Sequence, residues 1–237
     1  MSSKAFFSYF SLFLKKFYKI LKVNFLEFDD AKSEFWNSIE KGDWKMAQEL
    51  LDQIPSLLHL KHEKQLQTPL SMACQLGHFH LFEQLLQLTP ESVNLLDSSG
   101  SNCLLVACSN ENDWTIANFL LDSNDLPMQY QCDNFGMTPS LVAAKMGNLQ
   151  LLQKILLRFP ESIWDRDYID SRNCLSFAAE NGHFDVVKFL YSKQPDLAVE
   201  VEKFNEETAA SRATTRGHVE ISNFLSQIFK DHYLKAN

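Results

Sequence analysis

Glycine and proline are scarce, with seven of each in 237 residues, and so few turn-formers argue against a fold of many β-turns. Long apolar runs are missing as well, since none reaches the about 20 residues that a membrane-spanning helix requires. The apolar stretch 5–14 ends in Lys15-Lys16, and no small-residue cleavage pattern follows, so no cleavable secretory signal is expected. Cysteines are few and odd in number (Cys74, Cys103, Cys108, Cys132, Cys174) and lack paired spacing. That usage predicts free thiols and a reducing, cytoplasmic setting. No Gly-rich phosphate loop, H-E-x-x-H, C-x-x-C or G-x-S-x-G occurs, which leaves the common signatures of nucleotide, zinc and acyl-transfer chemistry unmet. His78-Phe79-His80 and His59-x-x-His62 could offer ring nitrogens, yet no third ligand stands at metal spacing, so neither a metal nor a cofactor is expected. Cys108 or Cys132 with a distant His would make a nucleophile pair only if the thiol pKa were lowered and a third group oriented the base. Nothing in the pattern requires either, and a non-catalytic protein is the expectation.

Acidic residues are absent from the N-terminus, which is basic. Residues 1–26 carry five Lys and no Asp or Glu, whereas the rest holds 17 Lys+Arg against 30 Asp+Glu. The body of the chain therefore repels phosphate backbones, which excludes nucleic acid as its natural partner. Residues 1–27 read as a basic amphipathic helix. Lys4, Ser8, Ser11, Lys15, Lys19 and Lys22 share one narrow stripe, and Phe6, Phe7, Phe10, Phe13, Leu14, Phe17, Ile20 and Leu21 cover most of the remainder. So wide an apolar arc must be buried. Two burial sites stay open: the end of an adjoining repeat array, as a cap, or the surface of an anionic membrane, with peripheral contact through residues 1–26.

The rest of the chain is periodic. Gly42, Gly77, Gly147, Gly182 and Gly217 recur every 35 residues, with Asn112 in the vacant place. Leu50, Leu85, Leu120, Ile155, Leu190 and Leu225 keep the same register, and Met46, Leu81, Ile116, Leu151, Val186 and Ile221 lie four residues earlier on the same helix face. Trp44, Phe79, Trp114, Leu149, Phe184 and Val219 form a third row. Three apolar rows in one register predict about six helix pairs that bury a shared spine. Thr68-Pro69-Leu70 and Thr138-Pro139 open the first helices, with Thr as cap and Pro behind it, while Asn102 and Asn173 cap in two other units. Ala73, Ala107, Ala143, Ala178 and Ala213 allow these helices to approach closely.

Thr68-Pro69-Leu70 with Ala73 and Gly77-His78, Thr138-Pro139 with Ala143-Ala144 and Gly147, Ala178-Ala179 with Gly182-His183, and Ala213 with Gly217-His218 resemble the ankyrin-repeat signature. The resemblance covers about residues 31–237. It implies an all-α solenoid of stacked helix–turn–helix units with short β-hairpin fingers, beside the N-terminal amphipathic helix, and His side chains that hydrogen-bond between units. Departures are visible: the period exceeds the family's usual ~33, and Pro55, Pro90, Pro160 and Pro195 stand after the second helices, where Pro stops a helix.

The resemblance further implies a protein-interaction scaffold, with a protein partner held by a concave groove and the finger tips. The groove pairs are Gln75-Leu76, Ser109-Asn110, Lys145-Met146, Glu180-Asn181 and Thr215-Arg216. Finger positions include Ser98-Ser99, Asn134-Phe135 with Met137, Tyr168-Ile169 and Lys203-Phe204. Aromatic tips at Phe135, Tyr168 and Phe204 are either tucked against the next finger or offered to a partner. Acidic Asp133, Asp167, Asp170, Glu202 and Glu206 favour a basic partner. Asn94 resembles the finger asparagine that a hydroxylase modifies in many ankyrin proteins, and it also suits a bond within the turn. The Phe, Lys and Asn usage with degenerate repeats resembles effectors that intracellular bacteria deliver into host cells, which is an alternative setting to a membrane-tethered adaptor.

Overall fold

The structure is a computed structural model that describes residues 28–111, 113–123, 125–203 and 206–236. The expected N-terminal helix lies outside the described residues, as does Phe204. The chain divides into two compact units, Met1–Leu60 and Lys61–Asn237.

In the first unit, helix α1 (28–41) is followed by α2 (Trp44–Gln53) and a 3-10 turn, Pro55–His59. The Asp43 carboxylate caps α2 by accepting the Met46 N–H at 3.1 Å, which satisfies one of the free amide donors at a helix start. Phe35 and Ile39, four residues apart, are fully buried with Ala47 and Leu57.

The second unit holds five helix pairs: α3 (Pro69–Leu76) with α4 (Phe79–Leu88), α5 (Cys103–Cys108) with α6 (Thr115–Asp122), α7 (Pro139–Lys145) with α8 (Leu149–Arg158), α9 (Cys174–Glu180) with α10 (Phe184–Lys193), and α11 (Ala209–Thr215) with α12 (Val219–Ala236). Each first helix opens on a side-chain cap. Thr68, Asn102, Thr138, Asn173 and Thr208 accept the N–H of Ser71, Leu105, Leu141, Ser176 and Ser211. The carboxamides do more than a hydroxyl could. Asn102 Nδ2 also donates to the Gln129 carbonyl, and Asn173 Nδ2 to Leu197, so each pins the loop that descends from its second helix.

Ala73, Ala107, Ala143, Ala178 and Ala213 are buried, and the first helices touch one another in series, as small residues permit. Leu85, Leu120, Ile155, Leu190 and Leu225 are buried completely, and Leu81, Ile116, Leu151, Val186 and Ile221 nearly so. The third row is half-exposed instead. Phe79 and Phe184 sit edge-on against Phe119 and Phe224 of the next pair, at ring separations of 5.5 and 5.4 Å, while Val219 on the last helix is exposed.

Two local features differ from expectation. Pro90, Pro160 and Pro195 do not merely stop the second helices: each begins a 3-10 turn (Pro90–Asn94, Pro160–Trp164, Pro195–Ala198), and Val93 of the first and Leu197 of the last are buried. The fingers are hairpins too short to form strands. No strand occurs among the described residues, where the pairing is a single bridge between Val201 and Thr208. Each finger is closed by one backbone bond across its neck, and so has no ladder to extend: His62 to Gln67, Asp97 to Ser101, Asp133 to Met137, Asp167 to Arg172, and Glu202 to Glu207. These are numbered the first to fifth fingers. Successive fingers are tied tip to tip. The N–H groups of Ser98, Asn134, Tyr168 and Lys203 donate to the carbonyls of Gln65, Ser99, Phe135 and Asp170.

Candidate functional site

A finger tip keeps its shape because an acid sits at its neck. In the third finger Asp133 Oδ1 accepts the N–H of Phe135 at 2.8 Å and of Met137 at 2.9 Å. That fixes the backbone and turns the Phe135 ring outward, leaving it 57% exposed. Gly136 follows with φ 78°, and a Cβ there would lie 2.6 Å from Tyr168, so the glycine makes room for the next finger. Tyr168 leans across it, sharing a 3.0 Å hydrogen bond with the Cys132 thiol, and this bond raises the phenol's pKa. Even so, Tyr168 is 67% and Ile169 is 53% exposed. The tip aromatics are thus both braced against a neighbour and open to solvent.

The groove positions behave differently from one another. Lys145 is exposed and Met146 and Met137 are half-buried, on the face that runs down from the third finger. Asn181 is exposed, but its amide donates to the Phe177 carbonyl at 2.8 Å. The histidines act between pairs. His183 Nε2 lies 2.9 Å from the Lys145 carbonyl, and His218 Nε2 3.1 Å from that of Glu180, each as the donor of an Nε2–H tautomer. Their rings fill the space beside Gly147 and Gly182, where a Cβ would come within 2.4 and 2.6 Å of them. Asn110 does the same work where no His stands, donating to the Gln75 carbonyl at 3.3 Å. Asn94 spans rather than closes a turn, with Nδ2 on the Pro127 carbonyl and Oδ1 accepting the Gln129 N–H.

Glu180 does not point to solvent as a groove residue would. It belongs to an ion network that the sequence did not reveal. Arg172 holds Asp167 through Nε and Nη2 at 2.9 and 2.8 Å, reaches Glu180 at 3.3 Å, and stacks over the Phe177 ring at 4.3 Å. Arg212 pairs with Glu202 at 2.5 Å, Glu207 at 2.9 Å and Asp170 at 3.3 Å, and Arg216 pairs with Glu180 at 2.8 Å. Asp167 and Glu202 are buried. Three of the acids that favoured a basic partner, Asp167, Asp170 and Glu202, are therefore neutralised by this chain's own arginines. The only hint was the Arg at the closing position of the fourth finger.

Burial pushes the Glu180 carboxyl up, but the hydrogen bond from Arg216 and the charges of Arg172, Arg212 and Arg216 outweigh it and hold Glu180 below its ordinary value. A carboxyl so lowered stabilises the fold above its unfolded pKa, and the contribution disappears as pH falls through the lowered value. Glu180→Gln is expected to be less stable than the wild type at neutral pH, with the two urea midpoints converging between about pH 6 and about pH 3. A deficit that stays constant across that range would deny Glu180 any part in the acid response.

The remaining chemistry is quiet. Cys74, Cys103, Cys108 and Cys174 are buried, and burial pushes the thiols of Cys103 and Cys174 up to about 12, far from a reactive thiolate. Cys132 is half-buried against Tyr168. Among the described residues no group of three or more His, Cys, Asp or Glu converges as a metal site would, and no helix is long and apolar enough to cross a membrane.

Three copies of the family model for ankyrin repeats match residues 35–130, 115–200 and 141–235. The ankyrin repeat and KH domain-containing protein mask-1 of Caenorhabditis elegans is 27% identical over 171 residues, which are 72% of this chain and 6% of that protein. The chain thus spans a small fraction of that relative. A chain from the structure of a predatory endopeptidase from Bdellovibrio bacteriovorus in complex with an immunity protein superposes with a TM-score of 0.69 at 22% identity, over 82% of this chain and 97% of its own length. That likeness concerns the fold.

Proposed function

Since this chain belongs to the ankyrin-repeat family, whose repeats mediate protein–protein interaction, we propose that it is a non-catalytic scaffold. It binds a protein partner through the tips of the third to fifth fingers and the first-helix face beneath them. The partner-facing residues are Phe135, Met137, Lys145, Met146, Tyr168, Ile169 and Asn181, with Phe204 at the fifth finger. Glu180 serves as an internal anchor. The observation that carries this reading is the row of exposed apolar tips, Phe135, Tyr168 and Ile169, on backbone held rigid by neck acids and tip-to-tip bonds. Rigid aromatics offer large contact area at little entropic cost, and such residues dominate interface energetics. The named partner of the Bdellovibrio complex is consistent with the fold's use as a protein-binding surface.

Phe135→Ala/Tyr168→Ala is expected to reduce capture of the partner from a cell lysate at least about tenfold, the effect of losing one interface anchor. Unchanged capture, with the variant folded, would overturn the surface. We divide the chain into the basic stretch 1–27 and the repeat region 31–237. For the former, its five Lys and lack of acids favour contact with an anionic membrane surface or service as an array cap. Equal liposome flotation with and without residues 1–26 would remove the membrane reading.

A further inference from the structure

The neck acids of the fingers divide into two kinds. In the fourth finger Asp167 uses Oδ1 to hold the turn, accepting the N–H of Asp170 and Arg172, and offers Oδ2 to the Arg172 guanidinium. In the fifth, Glu202 takes the Arg212 guanidinium. Asp97 and Asp133 stand at the same neck position in the second and third fingers. Each commits Oδ1 to its turn amides, Ser99 and Ser101 for Asp97, Phe135 and Met137 for Asp133. The neck residues that correspond to Arg172 are Ser101 and Met137, which bring no charge. Among the described residues no donor reaches either Oδ2, and no Lys or Arg pairs with either acid.

Both carboxylates line one cleft of about 530 Å³, as does Glu111. Gln67 also lines it. That side chain is 4% exposed, its Nε2 donates to Gln75 Oε1 at 2.6 Å, and its Oε1 is buried with no partner among the described residues. A buried amide oxygen without a donor is costly, and in native proteins nearly all such groups have a partner. The cleft therefore brings together two carboxylates that no cation of this chain pairs and an amide oxygen that no donor reaches.

We propose that this cleft receives an arginine side chain of the protein partner, seated between Asp97, Asp133 and the Gln67 amide oxygen. The proposal rests on the protein-binding reading above and names the group that the partner contributes. A guanidinium is favoured over a lysine ammonium because it carries five donors in a planar fork that suits several separated acceptors, and because the fourth and fifth fingers seat guanidinium groups on their own neck acids. It is favoured over a metal ion because the acidic groups do not converge to coordinate one. The cation replaces what Arg172 and Arg212 supply intramolecularly.

The test uses N-acetyl-arginine amide as probe, titrated into the full chain at constant ionic strength and followed by amide NMR. Saturable shifts are expected at Ser99, Gly100, Ser101 and Asn110, with none from N-acetyl-leucine amide and weaker ones from N-acetyl-lysine amide. Asp97→Asn/Asp133→Asn keeps the Oδ1 acceptors that shape the turns, so the fold should survive, while probe affinity falls about tenfold. Ser101→Arg, which places an arginine where the fourth finger has one, should occupy the cleft and abolish the shifts. Absence of shifts, shifts indifferent to the Asn pair, or equal response to the lysine probe would overturn the proposal. No partner protein enters this experiment. A silent cleft beside tip-dependent capture would remove only the arginine seat, whereas probe binding beside capture indifferent to the tips would remove the aromatic surface.

Discussion

Arg212→Ala is expected to cost about 3 kcal/mol in stability, because it strands Glu202, a buried carboxylate, without its guanidinium. Removing one member of a buried pair is far worse than lacking the pair, since the desolvated charge that remains has nothing to offset it. The companion variant Arg212→Met/Glu202→Met should recover most of the loss. Asp170 and Glu207 are exposed enough to be solvated, and Glu180 keeps Arg172 and Arg216. Urea unfolding reads the size of the effect, and amide exchange reads its place, with α11 and α12 opening first because a repeat array yields from the weakened end. A loss below about 1 kcal/mol would class these pairs with screened surface bridges.

Leu120→Ala should be comparably damaging, at about 3 kcal/mol, by leaving a cavity in the apolar spine. Leu120 is completely buried on α6, which is shorter than the other second helices and has fewer neighbours in sequence to share the strain. Because it lies inside the array, its loss should uncouple the hairpins on either side and split one unfolding transition into two. Leu157→Ala provides the control. Leu157 is 83% exposed on α8, and its truncation should change stability by less than about 0.5 kcal/mol. Equal effects at the two leucines would mean that the spine does not run through Leu120.

The spine, the caps and the histidine contacts were legible because each is written within one 35-residue copy and then repeated. Leu85, Leu120 and Ile155 announce burial by their register, and Thr68, Asn102 and Asn173 announce helix starts by type alone. The third row misled in part. Phe79 and Phe184 are apolar for contact with the next pair's rings, so they are only half covered, and Val219 has no following ring to meet. The 3-10 turns were missed because Pro ends an α-helix without fixing the conformation of the residues after it. The candidate surface was legible at its tips, where a large apolar residue beside Asp or Gly is conspicuous, and illegible at its charges.

Sequence alone thus determined which residues form each helix, where it starts and stops, and which face is buried, since capping, φ preference and apolar spacing act within a few residues. Tertiary structure decided how the charges are joined, since stacking extends local pairs into a network that reaches from one repeat to the next. Asp167, Glu202, Asp97 and Asp133 are the same kind of residue at the same neck position, yet two are neutralised and two face a cleft. For Asp167 the guanidinium comes from Arg172, five residues on in its own finger. The approach of Arg212 to Asp170 and of Arg216 to Glu180 instead joins residues of successive repeats, a property of folded neighbours that no local pattern encodes.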